Sequence, residues 1–289
     1  MSAMKKLIVI LNDSEASTKT TLAHLLCIRY SQLGVKHRMA VSDEVDKLLP
    51  ETELWEVVRN YRPSRILEWM EDHDVVILDI ATGFSKQFAH LLERRNLAGL
   101  LAEEQISLVV VAPISDDEDG MEGMVRIADF SGETTQFVLV HIPGSGYHEE
   151  RRSWRSSSTC KALRHVDKVE MDLPEIPDAL LEELLDRRLH IVTALHEKES
   201  LPFFAQKELN DWLYDFCREL NEAEDFLLPY PVKTPVLPER RRNGVNPFAK
   251  RGRGRPRKNP EALPANSVEV PKIEKKPKVK VPSRLLQAS

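Results

Sequence analysis

Lys19, Thr20 and Thr21 have the side chains and the setting needed to bind phosphate groups. They follow residues 7–11, a continuous apolar run that predicts a buried strand, and the polar loop 12–18. They also begin a helical pattern that runs to residue 34, and backbone N–H groups at a helix N-terminus favour an anion. The Lys19 ammonium could pair with nucleotide phosphates, and the Thr20 hydroxyl could bind Mg²⁺. The sequence therefore predicts a candidate site for ATP and Mg²⁺ at this helix start.

A cationic stretch, residues 251–258, has the form of a DNA-binding segment. Its glycines make the chain thin, and its proline restricts φ and favours an extended backbone. Such a chain fits the narrow, electronegative minor groove of A·T-rich DNA. The stretch resembles the AT-hook motif, whose Gly-Arg-Pro core matches residues 254–256, and we assign a hook to residues 250–258. The candidate DNA-binding residues are Arg251, Arg253, Gly254, Arg255, Pro256, Arg257 and Lys258. The alternative interpretation is a basic tail that binds any polyanion.

Charge is divided unevenly along the chain. The net charge is -5, yet residues 240–289 carry 15 Lys and Arg against 3 Asp and Glu. The rest of the chain carries 26 Lys and Arg against 43 Asp and Glu. An acidic body with a basic arm indicates nucleic-acid binding by the arm. From residue 229 onward the chain is rich in proline and poor in large apolar residues, which predicts a disordered tail over 229–289 and one domain over 1–228.

Composition also limits the compartment. The three cysteines are scattered and fit neither a metal site nor a disulfide framework. The apolar run at residues 7–11 is too short for a signal peptide. No stretch approaches the roughly 20 apolar residues of a membrane-spanning helix. We therefore expect a cytoplasmic protein, associated with the nucleoid or a plasmid, that makes no membrane contact.

The body alternates apolar runs with helical patterns. Strands are predicted at residues 7–11, 37–41, 74–79, 108–112, 137–141 and 166–171, and helices at 19–34, 62–72, 84–104, 177–198 and 203–224. This alternation predicts βαβ units and hence an α/β fold with a doubly wound, mostly parallel sheet. Ligands of such sheets bind beyond the carboxyl ends of the strands, where the loops after residues 11, 78 and 112 would meet.

The first loop and its neighbouring strands resemble those of the ParA/MinD family of deviant-Walker ATPases. The family loop, Lys-Gly-Gly-x-Gly-Lys-Thr-Thr, ends in the three residues found at 19–21. Residues 74–79 resemble the strand that carries the family's acidic Mg²⁺ residue, which gives Asp79 that role and makes it the catalytic residue if ATP is hydrolysed. Asp43 corresponds more loosely to the family's other acidic position. The resemblance covers about residues 4–225 and implies a P-loop NTPase-like fold and a nucleotide-switched homodimer.

The chain departs from the family loop at the residues that define it. Ser14 stands in place of the signature lysine, and Glu15, Ala16 and Thr18 stand in place of the glycines. Glycine permits positive φ and close approach of the backbone to phosphates. Asp13 and Glu15 also bring carboxylates towards a site meant for a polyanion, where like charges about 4 Å apart repel by on the order of 4 kcal/mol. These departures predict a degraded nucleotide site on a retained fold.

Other candidate sites have simpler explanations. Acidic residues 116–119 could bind a metal, although a solvated loop fits them better. His141 could contact a base, or be a polar residue with an internal partner at a strand end. Residues 144–146 favour a turn over a phosphate cradle. Trp154, set among Arg151, Arg152 and Arg155, could stack on nucleic acid or pack back onto the body.

Body and tail together favour a DNA-tethering protein of plasmid partition, maintenance or transfer. The body would bind a protein partner of the partition or transfer complex, and a homodimer would pair two tails and raise their avidity for DNA. One alternative is an active ParA-type ATPase whose ATP cycle controls DNA binding. The other is an AT-hook transcription regulator or nucleoid-associated protein.

Overall fold

The computed structural model describes residues 4–14, 18–42, 53–54, 63–114, 118–131, 135–142 and 153–231, without the side chains of residues 53–54, 63 and 118–120. The predicted hook and the rest of the tail from residue 232 onward lie outside these ranges. So do residues 15–17 of the first loop, Asp43, acidic residues 116–117, the glycine turn at 144–146, and Arg151 and Arg152. The predictions made for these segments, and the predicted domain boundary at residue 228, therefore stay predictions.

Seven parallel strands form one sheet in the described part of the chain, in the order β3-β2-β4-β1-β5-β6-β7. The central strands are rich in valine, isoleucine and leucine, as expected for strands buried on both faces. This sheet confirms the predicted α/β fold with a parallel sheet. The strands are β1 Lys5–Ile10, β2 His37–Val41, β3 Glu53–Leu54, β4 Val75–Asp79, β5 Ile106–Ile114, β6 Gln136–His141 and β7 Asp167–Asp172.

Helices cover both faces of the sheet, so the doubly wound arrangement is confirmed. They are α1 Lys19–Leu33, α2 Pro63–Asp72, α3 Ser85–Arg95, α4 Leu97–Glu103, α5 Glu118–Ser131, α6 Ser158–Ala162, α7 Asp178–Arg187, α8 Ile191–His196, α9 Phe203–Leu220 and α10 Glu224–Leu227. One core joins alternate strand residues to α1 and α7–α10, and the other joins the remaining strand residues to α2–α5. Among these helices none is both long enough and apolar enough to cross a bilayer.

Helix α1 is held between the sheet and the last helices, which fixes the position of its first turn. Tyr30 donates a hydrogen bond to the Leu227 carbonyl at 3.1 Å, and Arg29 forms a 3.2 Å ion pair with Glu224. Gly34 ends the helix in the left-handed conformation, with φ of 69°, as the sequence predicts. Because α1 is covered on both sides, Lys19 and Thr20 begin at a fixed place beside the sheet.

Two predicted helices are each divided in the structure. Residues 84–104 form α3 and α4, separated by Asn96 with φ of 48°, and residues 177–198 form α7 and α8, with Arg188 at φ of 54°. A single left-handed residue changes the direction of the helix axis while apolar residues continue to recur after it. The apolar residues keep their helical spacing across each break, so the sequence pattern did not show where one helix ends and the next begins.

The last described residues are joined to the amino end of the central strand. The Met4 N–H donates to the Pro229 carbonyl at 2.9 Å, and the Tyr230 hydroxyl lies 3.5 Å from the Asp74 carboxylate. Both contacts lie at the edge of the sheet where β1 and β4 begin. The carboxyl ends of these strands lie at the opposite edge.

We expect Gly123→Ala to destabilise the protein by about 1–2 kcal/mol. A Cβ at this position of α5 would lie 2.1 Å from the Ser85 Cβ at the start of α3, so one helix must move. Overpacking of this kind costs about 1–3 kcal/mol, of which better helix propensity returns up to about 1 kcal/mol. Urea unfolding followed by circular dichroism would measure the change.

Gly99→Ala is the matched control, because it is also a glycine within a helix. The three atoms nearest to its added Cβ all belong to the Asn96 side chain, which can rotate away. We expect this variant to be neutral or slightly stabilised. Equal losses in the two variants would show that the contact between α3 and α5 is not the cause.

Candidate functional site

Strand β1 lies between β4 and β5, and its register brings three loops together. Ile10 is paired with Asp79 on one side and with Val111 on the other. The pairing continues past the strand ends, because the Leu11 N–H donates to the Val111 carbonyl and the Ile80 N–H to the Ile10 carbonyl. The residues that follow these strands therefore meet at the carboxyl edge of the sheet, as predicted.

Lys19 is buried, and its ammonium bonds within the chain. It donates to the Asn12 carbonyl at 2.6 Å and to the Thr82 hydroxyl at 3.0 Å. Thr82 belongs to the turn after β4, whose next residue, Gly83, has φ of 86°. The cation that could pair with phosphates thus links the first loop to the turn after β4.

Thr20 and Asp79 lie in direct contact, as a shared Mg²⁺ site requires. The Thr20 hydroxyl donates to the Asp79 carboxylate at 2.7 Å, and the carboxylate lies at the fully buried end of β4. The structure therefore places two of the predicted metal-binding groups together. Thr21, which the sequence groups with them, is a buried residue of the same helix turn.

Asn12 organises the start of the loop, a role that the sequence analysis did not assign. Its carbonyl oxygen Oδ1 accepts from the Ser14 N–H at 2.6 Å, and its Nδ2 donates to the Pro113 carbonyl at 2.7 Å. The same amide lies 3.3 Å from the Met121 sulfur. A polar residue directly after a buried strand is the signal that could have identified it.

Asp13 has a structural role that the sequence analysis did not assign. Its Oδ1 accepts from the Gly83 N–H at 2.8 Å, the Ser85 N–H at 3.3 Å and the Ser85 hydroxyl at 2.6 Å. These donors surround the N-terminus of α3, where a negative charge is stabilising. The charge of Asp13 is therefore matched at the first turn of α3, from a position 72 residues earlier in the chain.

Ser42 fastens the end of β2 to the same edge. Its hydroxyl accepts from the Ala81 N–H at 2.6 Å, and its own N–H donates to the Asp79 carbonyl at 3.0 Å. Because Ser42 is buried, it holds the backbone on both sides of Ile80 in place. This residue, like Ser85, was missed because its partners are distant in sequence.

Lys19, Thr20 and Asp79 suit Mg²⁺ and a nucleotide by their chemistry. Thr20 and Asp79 supply the oxygen ligands that Mg²⁺ prefers, and Lys19 supplies a cation for phosphates. At Thr18, where the family loop has a glycine, φ is −97°, a value open to any residue. Its hydroxyl is buried with no hydrogen-bond partner among the described residues. The described side chains thus suit Mg²⁺ and a nucleotide. The backbone at Thr18 does not adopt a conformation that requires glycine.

Among the remaining candidates, His141 and Trp154 have structural roles. His141 Nε2 lies 2.9 Å from the Glu170 carboxylate, so it has an internal partner at its strand end. Trp154 is buried in the core beneath α5, and only Arg155 of this group is described as exposed. Stacking of Trp154 on a base is therefore excluded in this conformation. Groups of three or more metal-binding side chains are not found in the described ranges.

Comparison with solved structures finds proteins of similar architecture. The MinD cell division protein of Aquifex aeolicus is 13% identical, with a TM-score of 0.38, over 74% of this chain and 97% of that chain. The MinC:MinD complex of the same organism matches at 13% identity and a TM-score of 0.41, over 74% and 96%. The 54 kDa signal recognition particle protein of Aeropyrum pernix, in complex with GDP, matches at 14% and 0.34, over 77% and 52%. No protein-family model and no curated protein matches the sequence. The parallel sheet with helices on both faces establishes the α/β fold class.

We expect Asp13→Ala to lower the free energy of unfolding by about 1–2 kcal/mol. The change leaves the N–H groups of Gly83 and Ser85 without their acceptor, and loss of a helix-capping oxygen costs on this order. Thermal and urea unfolding would measure it. Asp13→Asn keeps an acceptor oxygen and should lose less than half as much.

Asp129→Ala provides the control for removal of an acidic side chain, because Asp129 is exposed on α5. It should change stability by less than about 0.5 kcal/mol. In a double-mutant cycle, Asp13→Ala and Ser85→Ala should be coupled. Additive effects would show that the carboxylate and the Ser85 hydroxyl do not interact.

Proposed function

We propose that this protein tethers DNA in plasmid partition, maintenance or transfer, through a ParA/MinD-like body and an AT-hook tail. The observation that carries the proposal is the engagement of Lys19 and Asp13 with groups of the chain itself. Each bonds to residues 82–85, the turn and helix start after β4. These contacts give both charged side chains hydrogen-bond partners within the chain. The body then serves as a scaffold that binds a protein partner.

The hydrogen bonds that nucleotide binding would have to break support this function. A phosphate at the start of α1 must take Lys19 from the Asn12 carbonyl and the Thr82 hydroxyl. It must also find hydrogen-bond donors in a loop where residues with a Cβ stand in place of the glycines of the family loop. Each exchanged charge-assisted hydrogen bond is worth about 1.5–3 kcal/mol before the new contacts compensate. A weak or absent nucleotide affinity follows.

The charge division supports attachment to DNA through the tail. The body is strongly acidic and would be repelled by phosphates, whereas residues 240–289 carry 15 basic residues. The Gly-Arg-Pro core at residues 254–256 adds a preference for narrow minor grooves. DNA attachment and partner binding would thus belong to different parts of the chain.

Arg255→Ala should reduce affinity for an A·T-rich duplex by on the order of tenfold, because this arginine would enter the minor groove. Lys278→Ala removes the same charge elsewhere in the tail and is the matched control. It should weaken binding to A·T-rich and G·C-rich duplexes alike, by about twofold or less. Fluorescence anisotropy at fixed salt, with both duplexes, would measure this. Equal losses for the two variants would favour a tail that binds any polyanion.

An active ATPase is the second candidate, and the Thr20–Asp79 contact is the observation that favours it. Bound ATP and Mg²⁺ would supply a transferable phosphoryl group, which Lys19 would hold and Asp79 would orient through the metal. Release of the nucleotide or phosphate would then govern DNA release. For this activity, ATP would have to bind to a first loop whose residues 12–14 make contacts that replace those of the family loop.

Calorimetry with Mg·ATP separates the two candidates. For a scaffold, we expect no binding heat at millimolar ATP and no phosphate release. Binding and turnover that are lost in Lys19→Ala, but retained in the control Lys36→Ala at an exposed lysine, would establish the ATPase instead. Thr20→Ala should then lower turnover more than nucleotide affinity, because its hydroxyl would act on the metal.

A further inference from the structure

Four large apolar side chains are exposed on helices α7 and α9. Phe203 and Phe204 begin α9 and are 74% and 78% exposed, with ring centroids 5.7 Å apart in an edge-to-face pair. Leu181 and Leu185 lie one turn apart on α7 and are 38% and 53% exposed. We call these four residues the apolar patch. Aromatic and leucine side chains that gather on a surface are typical of a binding site.

The contacts between α7 and α9 place the patch at one end of an antiparallel helix pair. Arg187, the last residue of α7, donates to the Ser200 carbonyl at 3.1 Å, just before α9 begins. Trp212, in the middle of α9, donates to the Pro174 carbonyl at 2.9 Å, just before α7 begins. The end of α7 therefore lies beside the start of α9, so Leu185 and the two phenylalanines share the same end.

The patch is separate from the core that these helices already form. Leu180 and Leu184 of α7 and Leu209 and Trp212 of α9 are buried against the sheet side. Each helix therefore already buries one apolar face in the core without the patch. Leu181 and Leu185 form a second apolar stripe on α7, which faces away from the core.

An acidic ridge lies beside this stripe. Asp178, Glu182 and Asp186 recur every four residues on α7 and are exposed, and no ion pair to them is found among the described residues. Across residues 172–211 there are 10 acidic and 4 basic residues. An apolar stripe next to a negative ridge is complementary to a helix that carries apolar and basic residues in the same arrangement.

We propose that the apolar patch and its acidic ridge bind a basic amphipathic helix of a partner protein. Leucine-like or aromatic anchors of the partner, spaced three or four residues apart, would cover Leu181, Leu185 and the phenylalanines. Its lysines or arginines would lie along Asp178, Glu182 and Asp186. A second copy of this surface would bring two acidic ridges together, and their negative charges would repel each other. The ridge would repel an anionic membrane or DNA in the same way.

The proposal deepens the proposed function, since it names the surface that a partner of the tether would occupy, and it rests on that function only for its biological setting. Its test contains neither DNA nor nucleotide. A failure of peptide binding would therefore leave the Arg255 measurement unaffected, and a failure of DNA attachment would leave the surface unaffected.

The probe is a fluorescent 18-residue helical peptide of leucine and lysine, with leucines spaced three and four residues apart. Anisotropy would be measured with the full chain. We expect saturable binding, and a loss of at least tenfold in affinity for the double variant Phe203→Ser/Phe204→Ser. Phe130→Ser, at a 42% exposed phenylalanine on α5 in the other helical layer, is the matched control and should bind as the unaltered chain does. Glu182→Lys/Asp186→Lys should also lose at least tenfold.

Three results would overturn the proposal. The first is equal binding of a scrambled peptide of the same composition, which would show that charge alone is recognised. The second is binding to phosphatidylglycerol vesicles that depends on the two phenylalanines, which would indicate a lipid surface. The third is a concentration-dependent dimer of the unaltered chain that dissociates in the phenylalanine variant, which would assign the patch to a second copy.

Discussion

The position of β1 between β4 and β5 is the constraint on which the rest of the site depends. Parallel strands end at a common edge, so residues far apart in sequence arrive there together whatever their chemistry. Asn12 follows β1, Asp79 ends β4 and Pro113 lies near the end of β5, so all three reach the same edge, and Asn12 bonds to Pro113 for this reason. Helix α1 then needs only a fixed start, which its burial on both sides provides.

Three polar side chains at this edge are bonded within the described part of the chain. Asp13 caps the helix after β4, Lys19 bonds to the turn before that helix, and Ser42 holds the backbone between them. Each of these three side chains has a hydrogen-bond partner within the chain. The apolar patch on α7 and α9 differs, because its side chains are exposed. The polar groups that are bonded internally and the apolar groups that are exposed thus lie on different elements.

The sequence predicted the sheet well because strands buried on both faces leave short apolar runs bounded by polar loops. It also placed Lys19, Thr20 and Asp79 at one edge, since the loops that follow parallel strands meet at the carboxyl edge of the sheet. It did not reveal the capping role of Asp13, because the partner of a carboxylate lies in the folded chain, here at Ser85, and not in its local sequence. The breaks at Asn96 and Arg188 were missed for a related reason, since one left-handed residue leaves the apolar period unchanged.

The attachment of Pro229 and Tyr230 beside Met4 and Asp74 has a mechanical consequence. A strand at the margin of a sheet can be peeled away one hydrogen bond at a time, but β1 is bonded along both of its sides. Tension applied through residue 231 would first load the contacts of Pro229 and Tyr230, and then the chain that leads back into α10. Rupture under force is governed by the rate of unfolding. Pulling on this end would therefore unwind the last helices before it loaded β1.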